Sequence, residues 1–189
     1  TEPSQPAPLT ISPAPTGTDS QSAFVKAVVK DFLARDASTS EVSNWRQRLS
    51  NGVSREQVAK SFAFSDEWIG VLVDGYYSST LGRGSDASGR LYWTRQIVAG
   101  VTPAMVASEF YASDEYFLRA GGTNRRWVED LYRQILGRQS DIGGVQHWTD
   151  LAEKRSRSQV AHHFYQSAES RLDRVRSMYE SLLGRTPDS

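Results

Sequence analysis

The chain repeats itself, and that feature limits its possible folds more than any other. Residues 45–68 read WRQRLSNGVSREQVAKSFAFSDEW and residues 93–116 read WTRQIVAGVTPAMVASEFYASDEY, a gap-free match at an offset of 48. Residues 148–170, WTDLAEKRSRSQVAHHFYQSAES, form a third copy, 55 residues on from the second at its Trp and one residue shorter inside. Twelve residues before each Trp stands Leu33, Leu81 or Leu136, followed by Ala34-Arg35, Gly82-Arg83 or Gly137-Arg138. A fourth start, Leu183-Gly184-Arg185, closes the chain. A period of this length marks architectures in which each unit buries an apolar face against its neighbours. The reading is a Pro/Ser/Thr-rich linker over 1–22, helical repeats over 23–70, 71–120 and 121–170, and the first helix of a partial fourth over 171–189.

Within a repeat the apolar spacing is helical throughout, and no strand-like alternation competes with it. The first helix carries residues such as Trp127, Val128, Leu131, Tyr132, Ile135 and Leu136 on one face. It stops at Gly82, Gly137 or Gly184, where the lack of a Cβ permits a left-handed cap, with Ala34 departing from that pattern. N-cap residues for the second helix are Ser38 with Glu41 as a capping box, Asp86 and Asp141. After Gly52 or Gly100 the third helix starts from Ser54 with Gln57, Thr102 with Pro103, or Ser156 with Gln159. Its core face is Val58, Ala59 and Phe62 in repeat 1, Val106, Ala107 and Phe110 in repeat 2, and Val160, Ala161 and Phe164 in repeat 3. The fold class is therefore all-α: tandem three-helix repeats packed into a helical array, with a disordered Pro/Ser/Thr-rich tail. Pro3, Pro6, Pro8, Pro13 and Pro15 remove donors from that tail and leave it too polar to offset its ordering entropy. The tail lacks the basic start and apolar centre of a signal peptide, so the expectation is a processed chain or an internal fragment.

Two stretches carry a recognisable signature. Leu81-Gly82-Arg83-Gly84-Ser85-Asp86-Ala87-Ser88-Gly89, then Trp93, resembles the bacterial domain of unknown function 4214 family. So does Leu136-Gly137-Arg138-Gln139-Ser140-Asp141-Ile142-Gly143-Gly144, then Trp148. Leu183-Gly184-Arg185-Thr186-Pro187-Asp188 matches the family form with its proline in place, and repeat 1 diverges most, with Ser38 for Asp and no loop Gly. The resemblance implies a module, often in tandem, of large secreted or surface bacterial proteins, found beside calcium-binding repeats, adhesin segments or sugar-active domains. It implies no established activity. Tyr132-Arg133-Gln134-Ile135-Leu136-Gly137 is also similar to a helix of phycobilisome linker domains, from which the neutral charge and short tandem units set this chain apart.

Composition removes further classes. Lys+Arg and Asp+Glu number 22 each, so there is no basic footprint for nucleic acid. Cysteine is absent, excluding disulfides, thiolate metal sites and thiol nucleophiles. No apolar run is long enough for a membrane span. His147, His162 and His163 are the only histidines, and the adjacent pair points about 100° apart on a helix, so no metal set forms. Asp86, Asp141 and Asp188 offer one carboxylate per loop where calcium takes six to eight oxygens, and they read as N-caps. No catalytic residue, cofactor or metal site emerges, and the chain reads as a non-enzyme.

The recurrent arginines Arg35, Arg83, Arg138 and Arg185 read as structural, through helix ends or salt bridges to Glu67, Glu115 or Glu169. The recurrent Trp45, Trp93 and Trp148 read as core. Candidate ligand contacts therefore fall where the repeats differ. Tyr92 and His147, equivalent to Asn44, stand immediately before the Trp, and Tyr76 and Tyr77 with Tyr111 add aromatic surface to repeat 2. Lys154, Arg155 and Arg157 concentrate the positive charge of repeat 3, where residues 125–176 carry a net +3 against −1 over 71–120. The expected function is a non-catalytic binding or adhesion module at the cell surface or outside the cell, contacting a glycan, a cell-envelope component or another protein. A structural spacer, or an accessory region of a larger enzyme, is the alternative.

Overall fold

The computed structural model describes residues 18–183 and 186–187, and they contain eleven α-helices, one π-turn and no strand. The helices are α1 (Thr18–Leu33), α2 (Thr39–Ser50), α3 (Arg55–Ala63) and α4 (Asp66–Tyr76), which runs into the π-turn Tyr77–Leu81. There follow α5 (Ala87–Val98), α6 (Pro103–Ala112), α7 (Asp114–Arg119), α8 (Asn124–Ile135), α9 (Ile142–Lys154), α10 (Arg157–Gln166) and α11 (Ala168–Leu183). The all-α repeat reading holds. The tail boundary does not: α1 begins at Thr18, so residues 18–22 belong to the first helix, and the rest of the tail lies outside the described residues. The chain divides into two compact units at Ser65/Asp66. The repeat boundary read at 70/71 falls inside α4, because the Ser-Asp-Glu that closes one repeat also starts the next first helix.

The caps fall where the residues place them. Ser38 with Glu41 and Ser54 with Gln57 form complete capping boxes, and Asp86, Thr102, Asp141 and Ser156 each accept the N–H of the third helical residue. Gly82 (φ 66°) and Gly137 (φ 63°) take the left-handed cap, and Ala34 is held at φ 53° in the same role. A Cβ in that region costs roughly 1–2 kcal/mol, strain that the other repeats escape with glycine.

In the N-terminal unit, Val25, Val28, Val29 and Leu33 of α1 share a core with Val58 and Phe62 of α3. Trp45 of α2 lies against Phe62, ring centroids 5.2 Å apart. Arg55 ties α3 to the start of α1, donating to Ser20 Oγ at 2.9 Å and covering the Phe24 ring at 5.0 Å.

In the C-terminal unit repeats 2 and 3 share one core. Its members include Val73, Tyr77, Val106, Phe110, Trp127, Leu131, Tyr132, Val160 and Phe164. The two third helices, α6 and α10, lie antiparallel: the first turn of α10 meets the last turn of α6 through Arg157 Nε to Ala112 O at 3.0 Å and a Ser158–Glu109 hydrogen bond. At the middle of the crossing, Ser108 Oγ and His162 Nδ1 are 3.4 Å apart. Those two residues occupy the same position in successive repeats, as do Tyr111 and Tyr165, whose rings are 6.5 Å apart. Equivalent residues facing each other is the signature of a local two-fold relationship. On α3 the corresponding face carries the exposed Glu56–Lys60 ion pair at 2.7 Å, which keeps it solvated.

The device that permits this pairing is an insertion. From the closing Ser to the cap Gly the connector spans 17 residues between Ser65 and Gly82 and between Ser167 and Gly184, but 24 between Ser113 and Gly137. The extra residues break the middle connector into α7 and α8 around Gly121 (φ 107°) and Gly122 (φ 68°), conformations that favour glycine. α11, in a short connector, runs unbroken from Ala168 to Leu183.

Candidate functional site

Most of the recurrent chemistry is used to close each repeat. Arg83 grips Glu115 through Nε at 2.6 Å and Nη2 at 2.7 Å, and Arg138 grips Glu169 at 2.6 and 3.2 Å. Each guanidinium also covers a tyrosine of its own first helix, Arg83 over Tyr77 and Arg138 over Tyr132, both at 4.9 Å. The bound arginines hold the Glu115 and Glu169 carboxyls below the usual range. In repeat 1 Arg35 pairs with Glu41 at 2.7 and 2.9 Å, and with the cap bonds from Ser38 this brings the Glu41 carboxyl down to about 2. Arg185 and Asp188 lie outside the described residues.

Asp86 accepts from the Gly89 N–H at 2.8 Å and the Ser88 hydroxyl at 2.6 Å, which lowers its pKa, and Asp141 accepts from the Gly144 N–H at 2.7 Å. They act as N-caps. Among the described residues no group of three or more His, Asp or Glu side chains is arranged to hold a metal ion.

Three expected contact residues are absorbed by packing. Tyr77 is buried, because its ring stands edge-on to Phe110 at 4.8 Å in the shared core. Burial raises the pKa of its hydroxyl. Tyr76 is half-buried, donates to Pro103 O at 3.1 Å and packs on Phe110 at 5.7 Å. Arg157 caps the end of α6, pairs with Asp114 and covers the Phe117 ring at 4.4 Å. Arg157 lies where repeats 2 and 3 meet, whereas Tyr77 packs within its own repeat, as Tyr132 does on Phe164 at 5.0 Å.

The recurrent Trp residues are half-buried rather than core. Trp93 rests on Phe110 at 5.5 Å and Trp148 on Phe164 at 4.9 Å, each leaving part of its ring accessible. The Trp that is fully buried is Trp127 of α8, whose Nε1 donates to Tyr111 O at 2.8 Å.

Tyr92 and His147 remain free of such duties. Tyr92 is 54% exposed and stands edge-on to Trp93 at 4.9 Å and 75°. His147 is exposed and stands edge-on to Trp148 at 5.2 Å and 76°. Repeats 2 and 3 thus present the same two-ring ledge at equivalent positions, phenol and indole in one, imidazole and indole in the other. Leu91, also exposed, widens the apolar surface beside Tyr92.

Lys154 and Arg155 are exposed where α9 gives way to α10. Arg155 borders an open depression of about 630 Å³ whose walls also hold Glu109 and Glu153. The positive charge read from the sequence is locally offset by these carboxylates, so the depression is mixed in sign. No helix among the described residues is long and apolar enough to cross a membrane.

The family model described as Domain of unknown function (DUF4214) matches the chain over residues 15–72 and 107–173. No curated protein matches it, and no solved structure does.

Proposed function

The chain belongs to the DUF4214 family, and we propose that it serves a secreted or cell-surface protein as a non-catalytic binding module for a glycan of the cell envelope. The observation that carries this reading is the pair of equivalent ledges, Tyr92 on Trp93 and His147 on Trp148. Flat apolar rings bearing a polar edge suit the alternating CH faces and hydroxyls of a sugar. Two such ledges on one unit give a repeating polymer two points of engagement, which raises avidity without any new contact. The two-fold pairing of α6 with α10 favours a discrete unit over an open-ended spacer, because each repeat spends the same face on the other.

The test is retention of the chain on a panel of immobilised envelope polysaccharides. Tyr92→Ala and His147→Ala should each weaken retention and together abolish it, while Arg83→Ala leaves it intact. Retention on no polysaccharide, or retention unchanged in the double variant, overturns the reading.

A further inference from the structure

The repeat is broken in two places, and both breaks border the same cavity. One is the π-turn Tyr77–Leu81, a helical irregularity often associated with functional sites. The equivalent stretch of repeat 3 stays α-helical to Ile135, so the turn is not a requirement of the repeat. The other is the interrupted connector between α7 and α8. Between them lies an inward-facing cavity of about 150 Å³. Ser79 and Thr80 come from the π-turn, Tyr116 and Arg119 from α7, and Asp130 and Gln134 from α8, with Tyr111 of α6 completing the wall. Ser79 and Gln134 hold equivalent positions in repeats 2 and 3, so the cavity sits where the two repeats face each other.

Every wall residue is polar, so the space suits water or a hydroxylated ligand rather than a dry void. The folding bonds leave capacity over. Tyr116 donates to Asp130 Oδ2 at 2.6 Å and Arg133 to Oδ1 at 2.7 Å, so the carboxylate is neutralised and keeps further lone pairs. Arg119 Nη1 donates to Thr80 O at 3.0 Å and has other N–H groups to offer. Tyr111, half-buried, adds a hydroxyl that can both give and accept a hydrogen bond. Gln134, exposed at the mouth, has no hydrogen-bond partner among the described residues. The walls thus offer donors and acceptors together and carry one charge of each sign, Arg119 and Asp130. Its volume is that of about five waters at about 30 Å³ each. A chain of about three to five hydroxylated carbons would displace that amount of water, and each of its hydroxyls both gives and accepts a hydrogen bond.

We propose that this cavity is a binding site for a small neutral polyol, held between Gln134, Arg119, Asp130 and the Tyr111 hydroxyl. The site is separate from the Trp ledges and stands without them.

Isothermal titration of the whole chain with glycerol, erythritol and xylitol tests it. A saturable isotherm is expected for at least one, weakened about tenfold in Gln134→Ala through loss of one hydrogen-bonding group and weakened likewise in Tyr111→Phe. Gln134 is exposed, so its variant should melt like the parent and the loss cannot be ascribed to unfolding. Tyr92→Ala should leave polyol binding unchanged, which keeps this result distinct from the polysaccharide test. Only the non-saturable stabilisation common to excluded osmolytes, or equal binding by parent and Gln134→Ala, or saturable binding of glycine in place of the polyols, overturns the proposal.

Discussion

A Cβ placed on Gly89 would stand 2.0 Å from the Tyr77 hydroxyl. The same relationship recurs one repeat later, where a Cβ on Gly144 would meet the Tyr132 hydroxyl at 2.2 Å. The loop glycine of the signature is thus a packing residue: it admits the tyrosine tip of the first helix beneath the Asp-capped start of the second. Repeat 1 solves the problem differently. Val29 stands in the tyrosine position, and the vacated space allows Glu41, which closes the capping box and pairs with Arg35. Val29 and Glu41, where repeats 2 and 3 carry Tyr and Gly, compensate each other.

Gly89→Ala should therefore destabilise the C-terminal unit by about 1–3 kcal/mol, as overpacking does, although Gly→Ala inside a helix ordinarily stabilises by up to about 1 kcal/mol. Removing the obstructing hydroxyl in Tyr77→Phe/Gly89→Ala should recover part of the loss. Urea unfolding of the three variants measures it, and a more stable Gly89→Ala would refute the packing account.

Acid sensitivity follows from the carboxylates. Glu41 is held at about 2 when folded against an ordinary value of 4.5, so the folded state favours its charged form. A depressed carboxylate contributes stability that is fully present above the unfolded value and is lost as pH falls through the folded one. Glu115 and Glu169 shift in the same direction. Stability should be flat above roughly pH 5 and should fall steadily toward about pH 2, the titration range of Glu41. Glu41→Gln should flatten part of that acid limb, as followed by circular dichroism melts across pH. An unchanged acid limb in Glu41→Gln would show that the Arg35 pair does not matter.

The Trp residues should divide by burial rather than by recurrence. Trp127→Ala empties a fully enclosed site and orphans Tyr111 O, at a cost of about 3–5 kcal/mol or more. Trp93→Ala removes a half-buried ring and should cost about 2 kcal/mol. Thermal melts of the two variants rank them, and equal losses would contradict the difference in burial.

The arginine forks show how far residue patterns reach. Arg83 with Glu115 and Arg138 with Glu169 were both readable as recurrent opposite charges at matched positions, and both pairs form. The caps were readable too, because Ser54, Thr102 and Asp141 act on backbone groups within three residues of themselves. Tyr77 illustrates the limit. Its spacing places it on the first helix, but its burial depends on Phe110, far along the chain.

Local periodicity, turn chemistry and self-similarity were enough to establish helices, caps, repeat length and family, because each is set by interactions within a few residues or copied from unit to unit. Which faces became interior was decided by packing across long sequence distances. The connector seven residues longer between Ser113 and Gly137 was visible as an offset of 55 in place of 48. That it breaks at Gly121-Gly122, lets α6 lie on α10, leaves the Trp93 and Trp148 ledges open and borders a polar cavity followed only from the tertiary structure. The physical reason is that a helix break redirects a whole apolar face, and where that face lands depends on the complementary surface it meets.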